Sequence, residues 1–247
     1  MLRILDARTG EPVPATPARR GLTRVEVHAG GLDLTALRVL LTADLLVRAL
    51  ELGGTPVWTM LTAPREQAEL GTAAAALSIR PFEDSRDVAS GLGEAQVVHV
   101  RAATEEPPGA GVVVAVAPAG WDGDGAGEDV QGLLADPGAL RLALLSVPRD
   151  EPAALDPAAL EEAARTAAEW RTGVARWANQ PSRPVPDEVR ARLRAAWEDD
   201  LDLPGVLAVL RDVAHAPDLP DGARFETFLY ADRLLALDLA GELGNPG

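Results

Sequence analysis

Two residue types that often carry catalytic chemistry, cysteine and lysine, are absent from this sequence. There is no cysteine, which excludes thiolate nucleophiles, disulfides and cysteine-ligated zinc. There is no lysine either, since all 23 basic residues are arginine. The chain therefore cannot form a Schiff base or clamp a phosphate with a lysine. Acid–base or metal chemistry is left to the carboxylates and the three histidines.

The histidines are His28, His99 and His215. His28 ends a segment that alternates like a strand, and the other two lie far from it in sequence, so no pair has the spacing of a common metal motif. We expect no metal site, and a structural role for His28. The sequence also lacks the motifs GxGxxG, GxxxxGK[ST] and GxSxG, which carry dinucleotide, phosphate and acyl-transfer chemistry.

Two acidic segments could bind a cation or perform acid–base catalysis. The segment Trp121–Asp129 (WDGDGAGED) is a loose match to a calcium loop, but it lacks the spacing and the terminal glutamate of an EF-hand. A solvated acidic loop is the favoured interpretation. The group Asp199, Asp200 and Asp202 could supply paired carboxylates, but we favour an acidic turn that stabilises the N-terminus of a helix.

The composition is that of an acidic globular protein. The net charge is −15, with 47% hydrophobic and 25% charged residues, and this charge disfavours binding to tRNA because phosphate neutralisation dominates nucleic-acid affinity. No apolar run approaches the ~20 residues of a membrane span, and the first residues do not resemble a secretion signal. We expect a cytoplasmic protein. The abundance of Ala, Gly, Pro and Arg suggests a GC-rich bacterial genome.

The first quarter of the chain has the pattern of a βαβ unit. It contains a strand, a glycine pair, a helix and a second strand: Leu22–His28, Gly30-Gly31, Leu34–Leu52 and Thr55–Leu61. Asp33 or Thr35 is the expected N-cap of the helix, and Gly53-Gly54 should end it. Such a unit predicts a parallel sheet with a right-handed crossover.

The rest of the chain divides into an α/β part and a helical part. Helices are predicted at Arg65–Leu77 and Asp87–Gly93, and strands at Ala95–Arg101 and Gly111–Ala117. After residue 117 no further strand is predicted. The expected helices are Asp156–Trp177, Asp187–Leu201, Pro204–Ala214 and Phe225–Leu237, with Leu140–Val147 either helical or a buried turn. Trp170 and Trp177 are seven residues apart, which places both on one helix face.

Several segments resemble, in the same order, the cysteinyl-tRNA synthetases and the related mycothiol-pathway cysteine ligase. Trp197–Gly205 (WEDDLDLPG) and the helix that contains FLYADRLLALDL resemble the C-terminal helical region of that family. The other matching segments are Leu2–Pro14, Val25–Gly31, Ala43–Met60, Ala74–Pro81 and Asp136–Trp177. The resemblance implies an α/β fold: a truncated Rossmann-like (HUP-type) parallel-sheet domain, residues 1–132, followed by an α-helical bundle, residues 133–247.

The residues that serve catalysis in that family are missing here. The family activates cysteine with ATP, using a HIGH motif at the first helix and a lysine-bearing KMSKS loop. The HIGH position falls at Asp33–Ala36, where no histidine occurs and where an aspartate would repel a triphosphate. The KMSKS region corresponds to the acidic segment 120–132. Only His28 falls on a position where the family has a zinc ligand.

We therefore expect a catalytically degenerate synthetase-like protein, a pseudoenzyme that acts as a binding or regulatory partner. No cofactor is expected, neither ATP nor zinc. The partner would be another protein, a second copy of the chain or a small molecule, but not tRNA or a membrane. A remnant pocket at the carboxyl edge of the sheet would contain His28, Gly30, Gly31, Asp33, Thr35 and Arg38.

The alternative hypothesis is a divergent ATP-dependent amino-acid ligase with a rebuilt active site. In that case arginines would have to replace the lost lysine, since a guanidinium also binds phosphate well. The candidates are Arg38, Arg65, Arg101 and Arg141.

Overall fold

A β-hairpin precedes the main sheet. The computed structural model, which describes residues 1–16, 22–84, 96–105, 109–123, 130–241 and 243, pairs β1 (Arg3–Asp6) with β2 (Glu11–Pro14) in antiparallel register. This hairpin is tied to the C-terminal half of the chain. The Leu5 N–H donates to Asp200 Oδ1 at 2.8 Å, and the Asp200 N–H donates to the Arg3 carbonyl at 2.9 Å.

Five parallel strands form the central sheet, in the order β5-β4-β3-β6-β7. They are β3 (Thr23–His28), β4 (Val57–Thr62), β5 (Glu83–Asp84), β6 (Gln96–Ala102) and β7 (Val112–Val116). Helix α1 (Leu34–Leu52) connects β3 to β4, and α2 (Gln67–Ala76) connects β4 to β5. The order reverses between β3 and β6, as in Rossmann-like sheets. The predicted α/β fold class is confirmed.

Helix α1 is the central helix of the fold, and the sequence defines both of its ends. The Asp33 carboxylate accepts a hydrogen bond from the Ala36 N–H at 2.6 Å, and the helix stops at the Gly53-Gly54 pair. The N–H groups at a helix start have no partner in the helix itself, so this cap stabilises it. Nearly every residue of α1 is buried, because the helix packs against the sheet on one side and the C-terminal helices on the other.

The second half of the chain is mainly helical. Its helices are α3 (Val130–Leu133), α4 (Pro137–Leu145), α5 (Pro157–Trp177), α6 (Asp187–Glu198), α7 (Leu203–His215) and α8 (Asp221–Leu235). Trp170 and Trp177 share one face of α5, as predicted, and both contact Phe228 edge-on with ring centroids 5.6 and 5.1 Å apart. Edge-to-face pairs of this kind add to the free energy of simple burial.

The prediction that strands stop after residue 117 was wrong. β8 (Ala119–Trp121) and β9 (Ala153–Leu155) form a separate parallel pair. Each has only three residues, which is too short for an alternating hydrophobic pattern to be recognised. The predicted helix Asp87–Gly93 lies outside the described residues.

A buried cluster of charges joins α1 to the C-terminal helices. The Asp44 carboxylate of α1 is 1% exposed and lies 3.5 Å from the Arg141 guanidinium of α4. Arg141 also donates to the Leu77 and Leu235 carbonyls, both at 2.6 Å. The hydrophobic core is continuous through this region, so the division at residue 132/133 stays a prediction. Within the described residues, no helix combines the length and apolar character that a membrane span requires.

Candidate functional site

A cavity of about 170 Å³ lies at the carboxyl edge of the sheet, next to the point where the strand order reverses. Ligands of open α/β sheets bind in this crevice. Four of the predicted pocket residues line it: His28, Gly30, Asp33 and Thr35. Ala102, at the end of β6, and Glu105, in the loop that follows, also line it. The cavity is smaller than the ~300–1,000 Å³ of a typical drug-sized site.

The start of α1 at this cavity is already occupied by a carboxylate. In nucleotide-binding folds the free N–H groups at this helix N-terminus bind phosphate. Here Asp33 Oδ1 accepts the Ala36 N–H, so the protein's own anion sits where a phosphate would bind. Glu105 adds a second carboxylate to the lining. This arrangement disfavours a triphosphate and is compatible with a neutral or cationic group.

Arg38 was predicted to belong to the pocket, but it does not line this cavity. It is buried beneath the segment that follows β7 and the connection between α4 and β9, and it donates to five of their backbone carbonyls: Ala117, Pro118, Val147, Pro148 and Glu151. Burial lowers the pKa of Arg38 to about 10, with Asp150 acting in the opposite direction. The Pro118 and Pro148 carbonyls also accept from the Ala153 and Glu151 N–H groups, so the guanidinium links two chain segments to α1 and its role is structural.

Thr35 lies one turn before Arg38 on the same side of α1 and contacts the same segment. Its hydroxyl donates to the Ala119 carbonyl at 3.1 Å and accepts the Ala119 N–H at 3.0 Å. Residues three apart on a helix share a face, so both side chains are directed to the β7–β8 connection. Thr35 lines the cavity while its polar atoms are already paired.

Gly31 is not among the residues that line the cavity, but its neighbour Gly30 is. The Gly30 carbonyl accepts from Arg65 Nε at 3.0 Å, and a Cβ built on Gly30 would lie 3.9 Å from Arg65 Nη2 and 4.0 Å from Glu105 Oε1. Both distances are ordinary van der Waals contacts, so a side chain at this position would fit. Arg65 reaches the cavity only through its bond to Gly30.

The four arginines of the ligase hypothesis do not meet at one place. Arg141 pairs with Asp44 and two carbonyls at the joint with the C-terminal helices, and Arg38 binds carbonyls away from the cavity. Arg101 donates to the carbonyls of Ala102 and Glu105. None of the four is among the residues that line the cavity, and a phosphate clamp needs several converging donors.

A second group of polar residues lies on the face of the sheet opposite to α1. The register of the parallel strands pairs Glu26 with His99, so Glu26, His28 and His99 share this face. His99 Nδ1 lies 3.2 Å from His28 Nε2 and 3.3 Å from Glu26 Oε2. His28 thus takes part both in this cluster and in the cavity lining.

Burial is the main cause that lowers the pKa of His28 below its ordinary value of 6.5. His99 and Arg101 lower it further, and Glu26 opposes them. Sequence reasoning treated His28 as a lone histidine because His99 follows 71 residues later. The pairing depends on the alignment of two strands that are not consecutive in the chain. The one available signal was that each histidine falls in a predicted strand of one parallel sheet.

The structure tests the predictions for the two acidic segments differently. Asp202 accepts from the Gly205 N–H at 2.8 Å and caps α7, as the interpretation of an acidic helix start predicts. Asp200 instead forms an ion pair with Arg149. Part of the acidic segment, residues 124–129, lies outside the described residues.

Comparisons with known proteins give a relationship at the level of the fold. No protein-family model and no curated protein matches the chain. Among solved structures, the crystal structure of a "putative arginyl t-RNA synthetase" from Campylobacter jejuni is similar, with a TM-score of 0.55 and 9% sequence identity. The similarity covers 92% of this chain and 93% of that chain. It therefore shows a fold shared with a protein named as a synthetase, and the specific cysteine-activating ancestry stays a prediction.

Proposed function

We propose that this chain is a synthetase-like binding protein that holds a small ligand in the cavity between β3 and β6 and does not activate it with ATP. The observation that carries this proposal is the hydrogen bond from the Ala36 N–H to the Asp33 carboxylate at the start of α1. This contact supports the absence of a phosphate site, because the anion-binding end of the helix is already neutralised by the protein itself.

The size and charge of the cavity support a ligand about as large as an amino acid. Its volume of about 170 Å³ is below that of most nucleotide-sized sites, and its carboxylates, Asp33 and Glu105, favour an ammonium group. A larger hollow of about 280 Å³ lies beside Asp44 and Arg80, but those two groups already pair with each other. We also propose that the chain regulates another protein or a second copy of itself.

Thermal unfolding with a panel of amino acids, ATP and adenosine tests this proposal. A ligand at about 100 times its Kd adds about 2.7 kcal/mol to the free energy of unfolding, which for a chain of this size raises the Tm by about 5–11 °C. We expect such a rise with at least one amino acid or related amine and none with ATP.

Two variants connect that rise to the cavity. Ala102→Leu places a larger side chain in the cavity lining and should abolish the ligand-induced rise, whereas Ala168→Leu makes the same change on an exposed position of α5 and should leave it intact. ATP–pyrophosphate exchange with the same amino acids distinguishes the ligase hypothesis. Measurable exchange, or a Tm rise with ATP that Ala102→Leu abolishes, would overturn the proposal.

A further inference from the structure

We propose that Glu26, His28 and His99 bind a divalent transition-metal ion on the face of the sheet opposite to α1. Two atoms that bind one zinc ion at about 2.0–2.1 Å in tetrahedral geometry lie about 3.3 Å apart. His99 Nδ1 lies 3.2 Å from His28 Nε2 and 3.3 Å from Glu26 Oε2. The three ligand atoms are all within 4.8 Å of one another, so small side-chain rotations would bring them to the distances of one ion.

The contacts of His99 direct its Nδ1 into the cluster. His99 Nε2 lies 3.1 Å from the Ala110 carbonyl, and since a carbonyl can only accept, Nε2 carries a proton. Nδ1 is the ring nitrogen that faces both His28 and Glu26, so it is the atom that a metal ion would bind. A cation bound there takes the place of a proton shared between Nδ1 and Glu26.

The surrounding contacts are those of a supported ligand set. Metal-ligating histidines commonly donate their other ring nitrogen to a carbonyl or carboxylate, which fixes the ring, and the Ala110 carbonyl does this for His99. Arg24 Nε holds the other oxygen of Glu26, Oε1, at 2.7 Å. Arg24 and Arg101 are both nearby cations that oppose metal binding; Arg24 is paired with Glu26, and the Arg101 guanidinium is bound to two carbonyls.

Two imidazoles and one carboxylate favour Zn²⁺, Co²⁺ or Fe²⁺ over Ca²⁺ and Mg²⁺, which prefer sets made entirely of oxygen. Three protein ligands leave at least one coordination position open. Since His28 also lines the cavity, the ion and the proposed small-ligand site would share this residue. The resemblance to the cysteine ligases places a ligand only at His28, so this set is not the family's zinc site.

The test is a titration of the full chain, free of affinity tags and stripped of metal, with CoCl₂ and then ZnCl₂. Cobalt gives visible absorption bands whose intensity reports coordination number, and mass spectrometry of the metal content gives the stoichiometry. We expect one ion per chain, low-coordinate cobalt bands and displacement of cobalt by zinc. No amino acid is present, so the result is independent of the proposed function.

Four variants locate the ion. Loss of a ligand should weaken binding by more than the ~10–100-fold that loss of a supporting contact causes. This is expected for Glu26→Gln, His28→Gln and His99→Ala, while His215→Ala, at the exposed end of α7, should bind as the parent does. If the buried His99→Ala variant does not fold, the half-buried Glu26→Gln and His28→Gln variants decide. Absence of stoichiometric uptake, or uptake unchanged in those two variants, would overturn the metal site.

Discussion

Asp44→Asn tests the buried charge cluster that joins α1 to the C-terminal helices. The Asp44 carboxylate is 1% exposed and contacts three guanidinium groups. Its Oδ2 lies 2.7 Å from Arg48 Nε, and its Oδ1 lies 3.0 Å from Arg80 Nε. Arg141 is the most buried of the three cations, and burial lowers its pKa to about 10, with Asp44 the largest opposing influence. The amide of asparagine keeps the shape and removes the charge.

The expected loss of stability depends on the partners that Arg141 keeps in the variant. Removing one partner of a buried ion pair costs about 3–5 kcal/mol. Arg141 keeps its bonds to the Leu77 and Leu235 carbonyls, and the side-chain amide of the variant keeps one acceptor oxygen. We therefore expect the lower end, about 3 kcal/mol. For a chain of this length that corresponds to a fall in Tm of about 6–12 °C.

Urea unfolding followed by circular dichroism measures this loss, with an unchanged m-value showing that the same cooperative transition is compared. The matched control is Glu51→Gln, which removes another carboxylate from Arg80. That pair is 2.7 Å apart but 40% and 43% exposed, so the expected loss is below about 1 kcal/mol. If Asp44→Asn costs no more than Glu51→Gln, the carbonyls alone satisfy Arg141 and the reasoning fails.

Three other predictions concern stability. Asp33→Ala removes the α1 cap and should lower the free energy of unfolding in urea by about 1 kcal/mol; an unchanged midpoint would contradict the capping role. Gly111 has a φ of +128°, and a Cβ there would lie 2.5 Å from the Val97 carbonyl oxygen. Gly111→Ala should therefore lower the free energy of unfolding by about 1–3 kcal/mol. The loss should exceed that of Gly54→Ala, because a Cβ at Gly54 meets nothing within 4 Å. Equal falls in Tm for the two variants would refute the clash. Burial raises the pKa of Asp232 above its ordinary 3.8, so the folded state takes up this proton at higher pH than the unfolded state. Compared with Asp232→Asn, the parent should gain stability as pH falls from neutral toward 3.8 and lose it as pH rises; the opposite slope in urea unfolding at several pH values would show that the pKa is not raised.

The parts of the fold that the sequence predicts well are those with local causes. The bounds of α1 are Leu34–Leu52 in both the prediction and the structure, because an aspartate cap and a glycine pair act over a few residues. The strand that ends at His28 is predicted for the same kind of reason. The β8–β9 pair is missed because its partners are three residues long and lie far apart in sequence, with Gly120 aligned to Ala154, so their pairing is decided by tertiary contacts.

The candidate site also has features that local sequence patterns predict and features that they do not. Its position at the carboxyl edge of the sheet follows from the βαβ pattern. The direction of Arg38 does not, because the carbonyls that bind it come from segments 79 to 113 residues away. The meeting of His28 with His99 depends on strand order, and in a parallel sheet the neighbour of a strand need not be next in sequence.

The hairpin contact with Asp200 has a consequence for how the chain folds. It joins residues 195 positions apart, and contacts of such high sequence separation form late because closing a long loop costs entropy before any contact forms. During synthesis, β1 and β2 leave the ribosome well before Asp200, to which Leu5 of β1 is bonded. We therefore expect this hairpin to dock late, and until then its unpaired edges are open to association with other nascent chains.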